Sequence, residues 1–96
     1  MNKLTIDVGN TNTLFCLFSL QKVIFTKRIY TNELSDVKLN KIINEKNIDK
    51  NFKKLSCIII SSVVPSVEKI LKDFFKKKSF KFFFLKDILK NFKLKT

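Results

Sequence analysis

The sequence predicts an α/β domain: one mixed five-stranded sheet with two helices, in the order β-β-β-α-β-α-β. Three observations carry that expectation. Three short apolar runs, separated only by turns, precede residue 31; two later segments place apolar residues at helical spacing; and a β-branched run lies between those two segments.

The first run, residues 3–8, alternates loosely and is rich in strand formers, and residues 13–20 (Thr-Leu-Phe-Cys-Leu-Phe-Ser-Leu) form a second. Gly-Asn-Thr-Asn joins them as a hairpin. The third strand, residues 22–30, follows a tight turn at residues 20–22. Residues 34–46 then put Leu34, Val37, Leu39, Ile42 and Ile43 on one helical stripe with the charges outward. The fourth strand, residues 57–65, reads Cys-Ile-Ile-Ile-Ser-Ser-Val-Val-Pro and is stopped by the only proline. Ser66 is the expected N-cap of a second helix carrying Val67, Ile70, Leu71, Phe74 and Phe75, and Lys76, Lys77 and Lys78 suit its C-terminus. Residues 80–85 form the fifth strand, where four phenylalanines interrupted only by Lys81 would invite aggregation if left uncovered. This order is that of a ribonuclease H-like half-domain. Its helical crossover brings strand 4 beside strand 1 and parallel to it, so Ser61 and Ser62 should emerge next to Asp7, where open α/β sheets bind ligands.

Gly9 is the only glycine in 96 residues, against roughly 7% in average chains. It lies in Asp7-Val8-Gly9-Asn10-Thr11-Asn12-Thr13, a polar turn inside an apolar N-terminus. Gly9 and the asparagines can take positive φ, which turns successive N–H groups into a concavity that suits an anion. A carboxylate such as Asp7 is tolerable beside phosphates mainly when a divalent cation, held through water, lies between them. Asn10, Thr11, Asn12 and Thr13 add neutral donors. A plain hairpin turn would use the same residue types, so local chemistry alone leaves both readings open.

Taken with Ile-Ile-Ser-Ser-Val-Val-Pro about fifty residues later, Asp-Val-Gly-Asn-Thr-Asn-Thr closely resembles the type III pantothenate kinases, of the actin, sugar-kinase and heat-shock ATPase superfamily. Arg28-Ile29-Tyr30-Thr31 resembles the end of that family's third strand, and Leu94-Lys95-Thr96 a segment after its fifth. The resemblance implies ATP as phosphate donor, with Asp7 (catalytic, and orienting Mg²⁺ through water), Val8, Gly9, Asn10, Thr11, Asn12, Thr13 and Leu14 around its phosphates. It further implies a monovalent cation (K⁺ or NH₄⁺) whose ligands are not in this sequence, a homodimer in the intact family, and a place in coenzyme A biosynthesis. The family's Gly-Ala-Asp-Arg motif, which supplies the base and holds pantothenate, and its second Asp-x-Gly-Thr loop do not occur here. The expectation is therefore the N-terminal, ATP-phosphate half of a two-lobed kinase, truncated before the second lobe and inactive alone, without the further helix that covers the fifth strand in the family. Ser61 and Ser62 shape the same edge, and Arg28 is a surface residue or orients the loop. The rivals are a non-catalytic nucleotide-binding module, a basic interaction module, and a sugar or acetate kinase of the same superfamily.

Composition sets exclusions. With no histidine, Ser-His-Asp, Cys-His and His-metal chemistry cannot arise within the sequence. Cys16 and Cys57 have no C-x-x-C spacing and are expected as reduced core cysteines of a cytoplasmic protein. Asp7 breaks any signal-peptide core, and no apolar run approaches a membrane span. The net charge of +12 comes from nineteen lysines and one arginine scattered along the chain. Lysine lacks the planar fork that reads bases, so specific nucleic-acid binding is not expected. Nor is membrane binding by residues 67–78, because the apolar face of that helix is needed by the sheet.

Overall fold

A computed structural model describes residues 2–45 and 55–93, with side chains through residue 90. The expected ends at Lys46 and at Leu94-Lys95-Thr96 lie outside the described residues. Five strands, β1 (Asn2–Val8), β2 (Asn12–Ser19), β3 (Lys22–Tyr30), β4 (Leu55–Ser62) and β5 (Phe82–Phe84), form one sheet in the order β3-β2-β1-β4-β5. β1 pairs antiparallel with β2, and β2 with β3; β4 is parallel to both β1 and β5. The mixed five-stranded sheet of a ribonuclease H-like half-domain is thus present. Among the described residues the helices are α1 (Asp36–Ile43), α2 (Pro65–Lys77) and α3 (Leu85–Lys93), one more than expected, and a 3₁₀ turn spans Thr31–Glu33.

Strand alternation separates two faces. Leu4, Ile6 and Val8 of β1, Phe15 and Leu17 of β2, and Ile58 and Ile60 of β4 are buried together with Leu39 and Ile42 of α1 and Val67, Leu71, Phe74 and Phe75 of α2. Burying such side chains contributes roughly 1.5–3 kcal/mol each. The opposite face carries Lys3, Thr5 and Asp7 on β1, flanked by half-buried Leu14, Cys16, Cys57 and Ile59. The cysteines are free, as expected, but they stand on this second face and not in the core cluster.

Both helix starts differ from expectation. The Ser35 hydroxyl accepts the Lys38 N–H at 3.2 Å, so α1 begins at Asp36; Leu34 is buried ahead of the helix, and Val37 is exposed, outside the apolar stripe. α2 begins at Pro65 with Val64 as N-cap, not Ser66, because proline's fixed φ and missing N–H suit the first helical position. Near the C-terminus, residues 80–85 do not all join the sheet. Phe80 docks on Phe75 with ring centroids 6.1 Å apart, β5 holds only Phe82–Phe84, and Leu85 opens α3. Leu85, Ile88 and Leu89 recur at helical spacing and Asp87 sits in the first turn, so a helix wins there over strand continuation. A helix therefore does follow the phenylalanine run. Lys86 ties it to α2 through Glu68.

The scarcity of glycine is visible in the backbone. The two-residue β2–β3 turn takes positive φ at both Leu20 (51°) and Gln21 (71°), positions that usually select Asn-Gly. After α2, Ser79 takes φ 62°, its N–H bonds the Lys76 carbonyl at 3.1 Å, and the Phe80 N–H bonds the Phe75 carbonyl at 3.0 Å. This is a Schellman stop with serine where glycine is usual.

Candidate functional site

Asp7 is the last outward-facing residue of β1 and is exposed, on the face away from the packed helices. It pairs in register with Leu14 of β2 and with Ser61 of β4. Neighbouring strands lie about 4.8 Å apart, so Ser61 is adjacent to it as the topology requires. The Asp7 carboxylate has no hydrogen bond or ion pair among the described residues. Ser62 stands opposite Val8, and its hydroxyl is engaged by the N–H and carbonyl of Val64 at 3.1 and 3.3 Å; it shapes the entry to α2.

Beyond Asp7 the chain bends through Gly9, Asn10 and Thr11 into β2. The Gly9 N–H donates to the Asn12 carbonyl at 2.9 Å. No residue of the bend has positive φ, contrary to the expectation for Gly9 and the asparagines. The reason is a tertiary restraint. Thr31 donates its hydroxyl to the Gly9 carbonyl at 2.7 Å and its N–H to the Thr11 carbonyl at 2.8 Å, holding the bend from β3. Gly9 is needed for space: a Cβ there would stand 3.2 Å from the Asn12 carbonyl oxygen.

The expected phosphate-binding residues thus divide. Asn10, Thr11 and Asn12 are exposed with Asp7 at the tip, and Gly9 is half-buried behind them. The main-chain N–H groups of Asn10 and Thr11 have no partner among the described residues. Val8 and Thr13 turn into the core, and the Thr13 hydroxyl lies 2.9 Å from that of Thr31. Leu14 is half-buried beside Asp7. Thr31 was legible only as part of a strand ending. Its contact with Gly9 spans 22 positions, and no local pattern signals such a bond.

Arg28 is exposed on the edge strand, in register with Leu14, so it shares one row across the sheet with Asp7. A cleft of about 360 Å³ adjoins the bend at Asn12 and is lined also by Lys27, Arg28, Tyr30, Glu33 and Lys38. A larger one, about 530 Å³, lies between α1 and α2, away from the bend, with Asp36 and Asp73 in its lining. Asp36 and Asp73 against Lys69 leave that lining net negative, which disfavours an anion, whereas Lys27, Arg28 and Lys38 against Glu33 leave the cleft beside Asn12 net positive.

For a divalent cation, the donor chemistry is that of a single open carboxylate. Among the described residues no three His, Cys, Asp or Glu side chains gather in one place. Magnesium keeps several waters and is commonly held by one or two carboxylates plus substrate phosphates, which Asp7 fits. No helix among the described residues is long and apolar enough to cross a membrane.

Comparison with known proteins identifies relatives of this sequence. A sequence model of the family described as type III pantothenate kinase matches residues 3–95. The type III pantothenate kinase of Ehrlichia canis (strain Jake) is 41% identical over 71 residues, 69% of this chain and 26% of that protein. That of Desulfosudis oleivorans is 39% identical over 79 residues, covering 77% of this chain and 30% of its own length. That of Kosmotoga olearia is 35% identical over 80 residues, 78% and 30% respectively. The chain thus spans less than a third of the length of these relatives.

Proposed function

The chain belongs to the type III pantothenate kinase family, and on that premise we propose that it supplies the ATP-phosphate edge of such a kinase. The observation that carries the reading is the bend itself. An exposed Asp7 and the N–H groups of Asn10 and Thr11, all without a partner among the described residues, stand together at the end of β1, and the adjoining cleft has a net positive lining.

Phosphoryl transfer asks a protein mainly for positioning and charge neutralisation. Asp7 would hold hydrated Mg²⁺ against the phosphates, which supplies charge neutralisation when bound. Asn10, Thr11 and Asn12 would grip phosphate oxygens with backbone and side-chain donors, while Gly9 permits the close turn. Val8, Thr13 and Leu14 would act from behind, as packing and support. In the complete reaction the primary hydroxyl of pantothenate attacks the γ-phosphate of ATP. The base and the pantothenate contacts would come from a second lobe outside this sequence, as would the monovalent cation's ligands and the homodimer contact. On this division the chain would be inactive alone, and its free cysteines would suit a cytoplasmic setting.

The test is titration of MgATP into the chain, with and without Asp7→Asn, at moderate salt. Binding that falls on the order of tenfold in Asp7→Asn is the expected result, since a charged partner is lost without a change of shape. Equal binding by both proteins, weakening in parallel with added salt, would instead favour a basic interaction module.

A further inference from the structure

We propose that Thr31 is a positioning residue: its hydroxyl and N–H tie back two carbonyls of the bend and thereby turn the Asn10 amide outward to meet an anion. The inference deepens the phosphate reading of the same bend and rests on it.

Thr31 follows the last residue of β3 and is nearly buried, and Thr13 beside it is wholly buried. A threonine hydroxyl has one proton to give. Thr31 gives its own to the Gly9 carbonyl at 2.7 Å, so in the 2.9 Å contact between the two hydroxyls Thr13 must be the donor. The result is a directed relay from Thr13 to Thr31 to Gly9, in which each bond polarises the next. The Thr31 N–H adds a third link, to the Thr11 carbonyl.

The peptide geometry gives this relay its consequence. The Gly9–Asn10 bond is trans, and in a trans peptide the carbonyl and the following N–H point to opposite sides. Drawing the Gly9 oxygen toward Thr31 therefore sends the Asn10 N–H away from the protein, where it has no partner among the described residues. Two carbonyl oxygens that would repel a phosphate are withdrawn by the same residue. The anion-facing polarity of the bend is set from the neighbouring strand, without the positive φ that a self-contained loop would need.

Inorganic tripolyphosphate with Mg²⁺ is the probe, because it isolates the phosphate contacts from those to a base or sugar. Thr31→Val keeps the shape of the side chain and removes the hydroxyl; Thr31→Ser keeps the hydroxyl. The expected result is tripolyphosphate binding weakened on the order of tenfold in Thr31→Val and restored to within about twofold in Thr31→Ser, with far-ultraviolet circular dichroism unchanged in both. A purely structural threonine would lower the melting temperature and leave the affinity of the folded protein unaltered, and that outcome overturns the proposal. Should Thr31→Val fail to fold, amide NMR of the unsubstituted chain decides. A tripolyphosphate-dependent shift of the Asn10 amide supports the proposal, and an Asn10 amide that does not move overturns it. If the unsubstituted chain binds neither MgATP nor tripolyphosphate, the phosphate reading falls and this one with it; if it binds both and Thr31→Val binds equally well, only the role of Thr31 is lost.

Discussion

Gly9 is constrained by space and not by φ, and this separates two effects of replacing it. Gly9→Ala stiffens the unfolded chain, which stabilises by about 0.4–1 kcal/mol where the native φ is acceptable. The added Cβ, 3.2 Å from the Asn12 carbonyl oxygen, pushes the bend apart by a few tenths of an ångström. The two offset each other in stability, so the melting temperature of Gly9→Ala should change little while MgATP affinity falls severalfold. A calorimetric scan paired with a ligand titration checks both halves. The Asp7 carboxylate, by contrast, has no hydrogen bond or ion pair among the described residues, so Asp7→Asn should leave the melting temperature unchanged. At Cys16, burial raises the thiol pKa above its ordinary value, so the thiolate is scarcer in the folded state. Near pH 8, alkylation of Cys16 should run slower in the folded chain than in urea, and the gap should narrow as pH rises through the folded pKa.

At the scale of elements, the left-handed positions at Leu20, Gln21 and Ser79 carry the cost of a nearly glycine-free composition. A non-glycine residue there forfeits roughly 1–2 kcal/mol. Ser79→Gly should therefore stabilise by about 1 kcal/mol, a rise of about 4–8 °C in melting temperature for a domain of this size, measurable by thermal denaturation. The same positions show why strands and helices were readable while their ends were not. Periodicity located β1, β2, β3 and the faces of α1 and α2, because burial selects it. The ends were decided by single groups: the Ser35 hydroxyl capping α1, Pro65 taking the first position of α2, and Phe80 leaving the sheet to pack on Phe75. α3 was hidden because a phenylalanine run reads as strand until Leu85, where the periodicity changes within one residue. In the candidate site, the polar tip and Asp7 beside it were legible from composition, whereas the positive φ expected of Gly9 and the asparagines is not adopted. The restraint by Thr31 was not legible, since it joins β3 to a bend 22 positions earlier.

For the whole molecule, the proposal assigns this chain a phosphate edge, and the motifs that would supply the base and hold pantothenate do not occur in the sequence. Phosphopantothenate formation by the purified chain should be undetectable. Mixing with a polypeptide that carries the family's Gly-Ala-Asp-Arg and Asp-x-Gly-Thr motifs should restore it, and Asp7→Asn in this chain should abolish the recovered activity. The net charge of +12 makes weak, salt-sensitive attraction to any polyanion inevitable. A bare affinity for ATP therefore cannot discriminate between a cradle and a basic surface; the place of binding can.

Amide NMR of the ¹⁵N-labelled chain, titrated with MgATP at salt high enough to suppress diffuse attraction, reads that place directly. Saturable shifts centred on Asn10, Thr11 and Asn12, absent in Asp7→Asn, are the expected result. Shifts spread over the lysine-bearing surface, with Asn10 and Thr11 unmoved and Asp7→Asn indistinguishable, would contradict it.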